Sequence, residues 1–171
     1  MIIYSKAVSS LRTSEIRDLM SLAIKPDIIS FAGGMPGNEL FPVAEIDAIY
    51  NSLPLEIKQD GFQYGPTPGY PPLLETLKEF LKKKGLPVDN NRLLITTGSL
   101  QAINILGKVF IDPGDLVVTE NPCFIGAISA FRSYQAELKG IDLNENGIDV
   151  DLLRKFLEQK KSVPPKFVYL T

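Results

Sequence analysis

The chain has 171 residues, 44% hydrophobic and 22% charged, a balance that suits one soluble globular unit and argues against the disordered and fibrous classes. A formal charge of −2 leaves no surplus of positive charge to meet a nucleic-acid backbone or an anionic membrane surface. Histidine is absent and Cys123 is the one cysteine, which removes disulfides, ordinary zinc sites and every Ser-His or Cys-His catalytic pairing within the chain.

Residues 1 to 20 carry Arg12, Glu15, Arg17 and Asp18 with no long apolar run, the pattern of neither a signal peptide nor a membrane-spanning helix, so a cytoplasmic location is the default expectation. As far as residue 72 the chain reads as an irregular arm. It holds a short helix from Ser14 to Ala23, the turn-rich "FAGGMPGNELFP", a helix from Val43 to Leu53 closed by Pro54, and then "YGPTPGYPP". From Pro72 the pattern becomes regular. Leu73, Leu74, Leu77, Phe80 and Leu81 fall on one helical face that ends in Lys82, Lys83, Lys84 and Gly85. There follow a strand over Leu93 to Thr97, a helix over Ser99 to Ile111, a turn at Asp112 to Asp115, and a strand over Leu116 to Glu120. A helix over Cys123 to Tyr134 and a strand over Ala136 to Asp142 continue the alternation. After the turn "NENG", a helix over Asp149 to Lys161 turns Val150, Leu153, Phe156 and Leu157 inward, and "FVYLT" reads as a final strand.

Alternating strand and helix with apolar strands predict an α/β unit, a mainly parallel sheet covered by helices on both faces. Such sheets bind ligands at the carboxyl ends of their strands. The join Thr96, Thr97, Gly98, Ser99 stands at such a place. The first turn of a helix offers unpaired N–H groups and the positive end of a dipole, Gly98 lets a backbone come close, and Ser99 adds a hydroxyl donor. Local chemistry leaves two readings open, an ordinary N-cap and an anion cradle. It is neither a Walker A loop nor a dinucleotide fingerprint, since no Gly-Lys-Ser/Thr follows and the next glycine is Gly107.

The stretches "SFAGGMPGNELFP", "YGPTPGYPPLLETLKEFL", "LLITTGSLQAINILGKVFIDPGDLVVTENPCFIGAISAF" and "GIDVDLLRKFL", in this order, resemble the first part of class I/II aminotransferases. These are the fold-type I enzymes that use pyridoxal 5'-phosphate. The likeness extends to the branch with 2-aminoadipate and kynurenine aminotransferases and covers essentially the whole chain. It implies an N-terminal arm and substrate-side segment over residues 1–72. Residues 73–171 are then the first, incomplete part of the large cofactor-binding domain.

The resemblance assigns roles residue by residue. Ser99 and the backbone N–H of Leu100 match positions that hold the cofactor phosphate; the family usually has glutamine at Leu100, and Gln101 matches the next glutamine. Phe124 matches the aromatic residue that stacks on the pyridine ring, where tyrosine is commoner; phenylalanine keeps the ring face and loses a hydroxyl. Tyr64 matches a tyrosine that reaches the neighbouring subunit's site, which implies a homodimer. Gly34 matches a glycine lying against the substrate, and Arg17 an arginine that meets an acidic substrate side chain. Taken without the motif, Phe124 reads as a core aromatic, Tyr64 as a ring packed under the "GPTPG" turn, Gly33 and Gly34 as a turn, and Arg17 as an exposed helical arginine.

The family's reaction moves an amino group between an amino acid and a 2-oxo acid, using a lysine that holds the cofactor. That lysine, the aspartate at the ring nitrogen, the asparagine at the ring hydroxyl and the arginine for the substrate carboxylate match no position here. The resemblance puts all four beyond Thr171, so no catalytic residue is expected within this chain, and alone it is expected to be inactive. Other expectations the fold allows are a lyase on the same scaffold and the aminotransferase-like effector domain of a transcription regulator.

Overall fold

The structure is a computed structural model that describes residues 3–9, 28–29, 31, 36–89, 91–160 and 163–171. The chain divides into two compact units, Ser14–Ile95 and Met1–Thr13 with Thr96–Thr171.

The second of these carries the sheet. Four strands, β1 (Leu116–Asn121), β2 (Glu137–Asn144), β3 (Gly147–Ile148) and β4 (Phe167–Tyr169), lie in the order β3-β2-β1-β4. β1 pairs in parallel with β2 and with β4, and β3 returns antiparallel on β2. Val117, Val118 and Thr119 are buried in succession. Because successive side chains point to opposite faces, β1 is covered on both sides, as a continuous apolar run in a parallel sheet requires. On one face Ala127 and Phe131 of helix α6 (Ile125–Ser133) pack with Val117, and the Phe131 ring meets Phe167 and Tyr169 edge-on at 5.4 and 5.6 Å. On the other, Lys139 of β2 lies over Phe156 of helix α7 (Val150–Gln159). The predicted α/β class with helices on both faces is therefore what the chain forms.

Helix α5 (Gly98–Phe110) packs along α6, with Ile103 in the same core cluster as Ala127 and Phe131. The short α1 (Lys6–Ser9) also touches α6. α7 starts at Asp149, whose carboxylate accepts from the N–H groups of Asp151 and Leu152 at 3.0 and 2.9 Å, satisfying two of the donors that a helix start leaves unpaired. Of its expected inward side chains, Leu153, Phe156 and Leu157 are half-buried while Val150 is exposed.

The other unit is helical. α2 (Val43–Ser52), α3 (Leu55–Asp60) and α4 (Pro71–Lys83) follow a single 3-10 turn at Asn38–Leu40. α4 begins on two prolines, tolerated where the N–H groups lack acceptors anyway, and ends in Lys82 and Lys83, which suit the negative end of the dipole. Leu74, Leu77 and Leu81 are half-buried, whereas Leu73 and Phe80 of the expected stripe are exposed.

One expectation fails. Leu93 to Thr97 forms no strand: the Ile95 N–H donates to the Pro68 carbonyl at 2.8 Å, and β1 already has β2 on one side and β4 on the other. An apolar run marks burial, whereas a strand needs a partner, and this run pairs with none of the four strands. The helix expected from Val43 to Leu53 does close before Pro54, which also stands at the N-cap of α3. The expected helix from Ser14 to Ala23 lies outside the described residues.

Candidate active site

The turn before α5 is a small hydrogen-bonded knot. The Gly98 N–H donates to the Thr96 carbonyl at 2.9 Å, the Thr96 hydroxyl donates to the Gly98 carbonyl at 3.1 Å, and the Thr97 N–H donates to Gln101 Oε1 at 2.5 Å. Gly98 has a φ of +71°, the left-handed region that side chains with a Cβ rarely adopt. Thr97 occupies the N-cap position yet makes no side-chain cap bond. The ordinary capping reading is thus not realised. The N–H groups of Ser99 and Leu100 have no acceptor within a helix that starts at Gly98, and none is assigned to them among the described residues. Two adjacent donors at the positive end of a helix dipole, with the Ser99 hydroxyl beside them, fit an anionic phosphate. Gln101, by contrast, has its side-chain oxygen engaged by the turn itself.

Phe124 lies three residues beyond the carboxyl end of β1, directly before α6. Its carbonyl accepts the N–H groups of Ala127 and Ile128 at 3.1 and 3.2 Å, so its backbone is fixed by the helix it precedes. The residue is 41% exposed, so within this chain it is not part of the core. Across the seam between α5 and α6 the Phe124 ring and the Leu100 side chain converge: a Cβ placed on Gly126 would meet both the ring and Leu100 Cδ1. Gly126 was not among the expected residues. The only sequence signal was a glycine two positions after the aromatic residue.

Tyr64 belongs to the helical unit and is fully exposed, so the reading of a ring packed under its turn is not what the chain forms. Its N–H donates to Gln63 Oε1 at 2.8 Å. Arg17 and Gly34 lie outside the described residues.

Around the strand ends, Asn121 Nδ2 donates to Asp142 Oδ1 at 2.8 Å and the Thr171 N–H donates to Glu120 Oε1 at 2.9 Å. Burial pushes the Cys123 thiol up, and the nearby Glu120 carboxylate adds to the rise, so this cysteine is protonated at neutral pH rather than a poised nucleophile. In the turn before β1, the Asp112 N–H holds the Asp115 carboxyl below its usual range, helped by Lys166 at 3.3 Å.

A kynurenine aminotransferase from Pyrococcus horikoshii, solved in complex with PMP, superposes with a TM-score of 0.90 at 39% identity, over 97% of this chain and 42% of that one. The chain belongs to the aminotransferase class I and II family, whose profile matches residues 27–171. Among curated relatives, an aromatic-amino-acid aminotransferase from Thermococcus litoralis is 37% identical over 169 residues. A 2-aminoadipate transaminase from Thermus thermophilus is 38% identical over 167 residues. The chain is matched over 97% and 98% of its length and spans about 40% of each relative.

Proposed function

We propose that this chain supplies the N-terminal portion of an aminotransferase that moves an amino group between an amino acid and a 2-oxo acid with pyridoxal 5'-phosphate. The observation that carries the reading is that the Phe124 ring edge and Leu100 Cδ1 both lie against Gly126 across the α5–α6 seam, with the open Ser99 and Leu100 N–H groups at the start of the same helix as Leu100. The first suits a phosphate and the second a planar heteroaromatic ring, and their neighbourhood suits a ligand that has both. When bound, the cofactor supplies the electron sink that makes an α-proton acidic.

In this reading the Ser99 hydroxyl and the N–H groups of Ser99 and Leu100 donate to the phosphate, and Phe124 covers one side of the ring. Gln101 serves the site through the turn it holds. Tyr64 reaches the neighbouring subunit's site in a homodimer, Arg17 pairs with an acidic substrate side chain, and Gly34 leaves room for the substrate. Residues 1–72 form the arm and substrate-side segment, and residues 73–171 the first part of the cofactor domain. The lysine that holds the cofactor comes from chain beyond Thr171. The relatives' names point to aromatic amino acids, 2-aminoadipate and kynurenine as the first donors to try.

The test is to purify the complete protein with pyridoxal 5'-phosphate, record its cofactor absorbance, and analyse products from these donors with 2-oxoglutarate. Amino transfer is expected. Failure to bind the cofactor would sink the reading, and an elimination product in place of a transferred amino group would favour a lyase. The isolated 171-residue chain is expected to show no lysine-bound cofactor band, and such a band would overturn the placement of the lysine.

A further inference from the structure

We propose that Gly126 is a positioning residue of the cofactor site, setting where the Phe124 ring lies relative to the anion-binding turn. The proposal rests on the functional reading above and adds a residue to it. An ideal Cβ on Gly126 would stand 2.5 Å from Phe124 Cζ, 2.6 Å from Cε1 and 3.2 Å from Leu100 Cδ1. Carbon atoms pack best at about 3.5–4.0 Å, so the first two contacts are impossible and the third is tight. The ring edge therefore occupies space that any other residue at 126 would fill.

What gives way follows from how each atom is held. The Phe124 backbone is fixed by its carbonyl's bonds to Ala127 and Ile128, and Gly126 itself lies within α6. Leu100 closes off one side. The ring, on a residue 41% exposed, is free to swing toward solvent by rotating its own torsions, at small cost to the fold. A methyl group at 126 thus leaves the helices in place and moves the one aromatic surface the site presents. Gly126 contributes no atom to the ligand and acts through Phe124.

The experiment uses the complete protein with pyridoxal 5'-phosphate as the probe. It compares wild type, Gly126→Ala, Phe124→Leu and the double variant by cofactor titration, by circular dichroism of the bound cofactor, and by melting of the cofactor-free protein. Gly126→Ala is expected to weaken cofactor binding by about tenfold and to weaken the dichroic band, with the apo melting temperature within about 2 °C of wild type. Leucine at 124 has no atoms where the ring edge lay, so in that background Gly126→Ala is expected to cost less than about twofold.

Wild-type binding with an unaltered Gly126→Ala titration and dichroic band would overturn the proposal alone. So would an equal loss in both backgrounds, or an apo melting temperature that falls with the affinity. A wild-type protein that binds no cofactor would overturn the functional reading and this proposal with it.

Discussion

The two ends of the α5–α6 seam use one device for different ends. Near the start, the Phe124 ring rests where a Cβ on Gly126 would be; near the finish, the Tyr134 ring rests where a Cβ on Gly107 would be, at 2.7 and 2.9 Å from Cδ2 and Cε2. The second ring is locked. Tyr134 is half-buried, packs on the core cluster and donates its hydroxyl to Asn104 Oδ1 at 3.0 Å, while Gly107 is buried. The first has an open side and no hydroxyl. The same close approach therefore fixes a ring that a hydroxyl anchors at its far end, and leaves a ring without that anchor able to move.

The sharpest way to break this comparison begins in the core between the ends. Phe131→Ala, at a residue 1% exposed that meets two other rings, is expected to cost about 3–5 kcal/mol in denaturant unfolding of the complete apo protein. A cost below about 1 kcal/mol would mean that α6 is not anchored there. Next comes Gly107→Ala, expected to lose about 1–3 kcal/mol by overpacking because Tyr134 cannot swing away. If it were as mild as the substitution at Gly126, the distinction between locked and free rings would fall. Tyr134→Phe removes only the bond to Asn104 and should cost about 1 kcal/mol.

The smallest effect is electrostatic. The carboxyl of Asp115 titrates below its usual range in the folded protein, so its contribution to stability is fully present above the unfolded carboxylate value and is lost as the pH falls through the lowered one. Asp115→Asn should flatten that part of the acid unfolding profile and leave neutral stability lower by a small margin. A variant whose acid profile matches wild type would refute the assignment.

Periodicity made most of the fold legible. The helices at Pro71–Lys83, Gly98–Phe110, Ile125–Ser133 and Val150–Gln159, and the strands at Leu116–Asn121 and Glu137–Asn144, lie within a few residues of where the apolar spacing put them. Local chemistry decides such elements. What was hidden depended on partners. The run at Leu93 to Thr97 looked like a strand because it is apolar, but pairing is a property of two segments. The two-residue β3 was read only as the end of the turn "NENG", since a strand so short carries no alternation. In the proposed site, Ser99, Leu100 and Phe124 are visible through their motif. Gly126 is not, because a missing side chain gains meaning only from what fills the space.

Gly98 carries a different lesson, about tolerance to mutation. An added Cβ there would meet nothing within 4 Å, just as at Gly65. Yet Gly98 sits at a φ of +71° and Gly65 does not share that sign. In the fold of this chain, alanine at Gly98 should cost about 1–2 kcal/mol from the backbone alone, a penalty alanine at Gly65 does not meet, although both look like empty ground. One codon is constrained by the direction in which the chain turns, a limit that no map of empty space reveals.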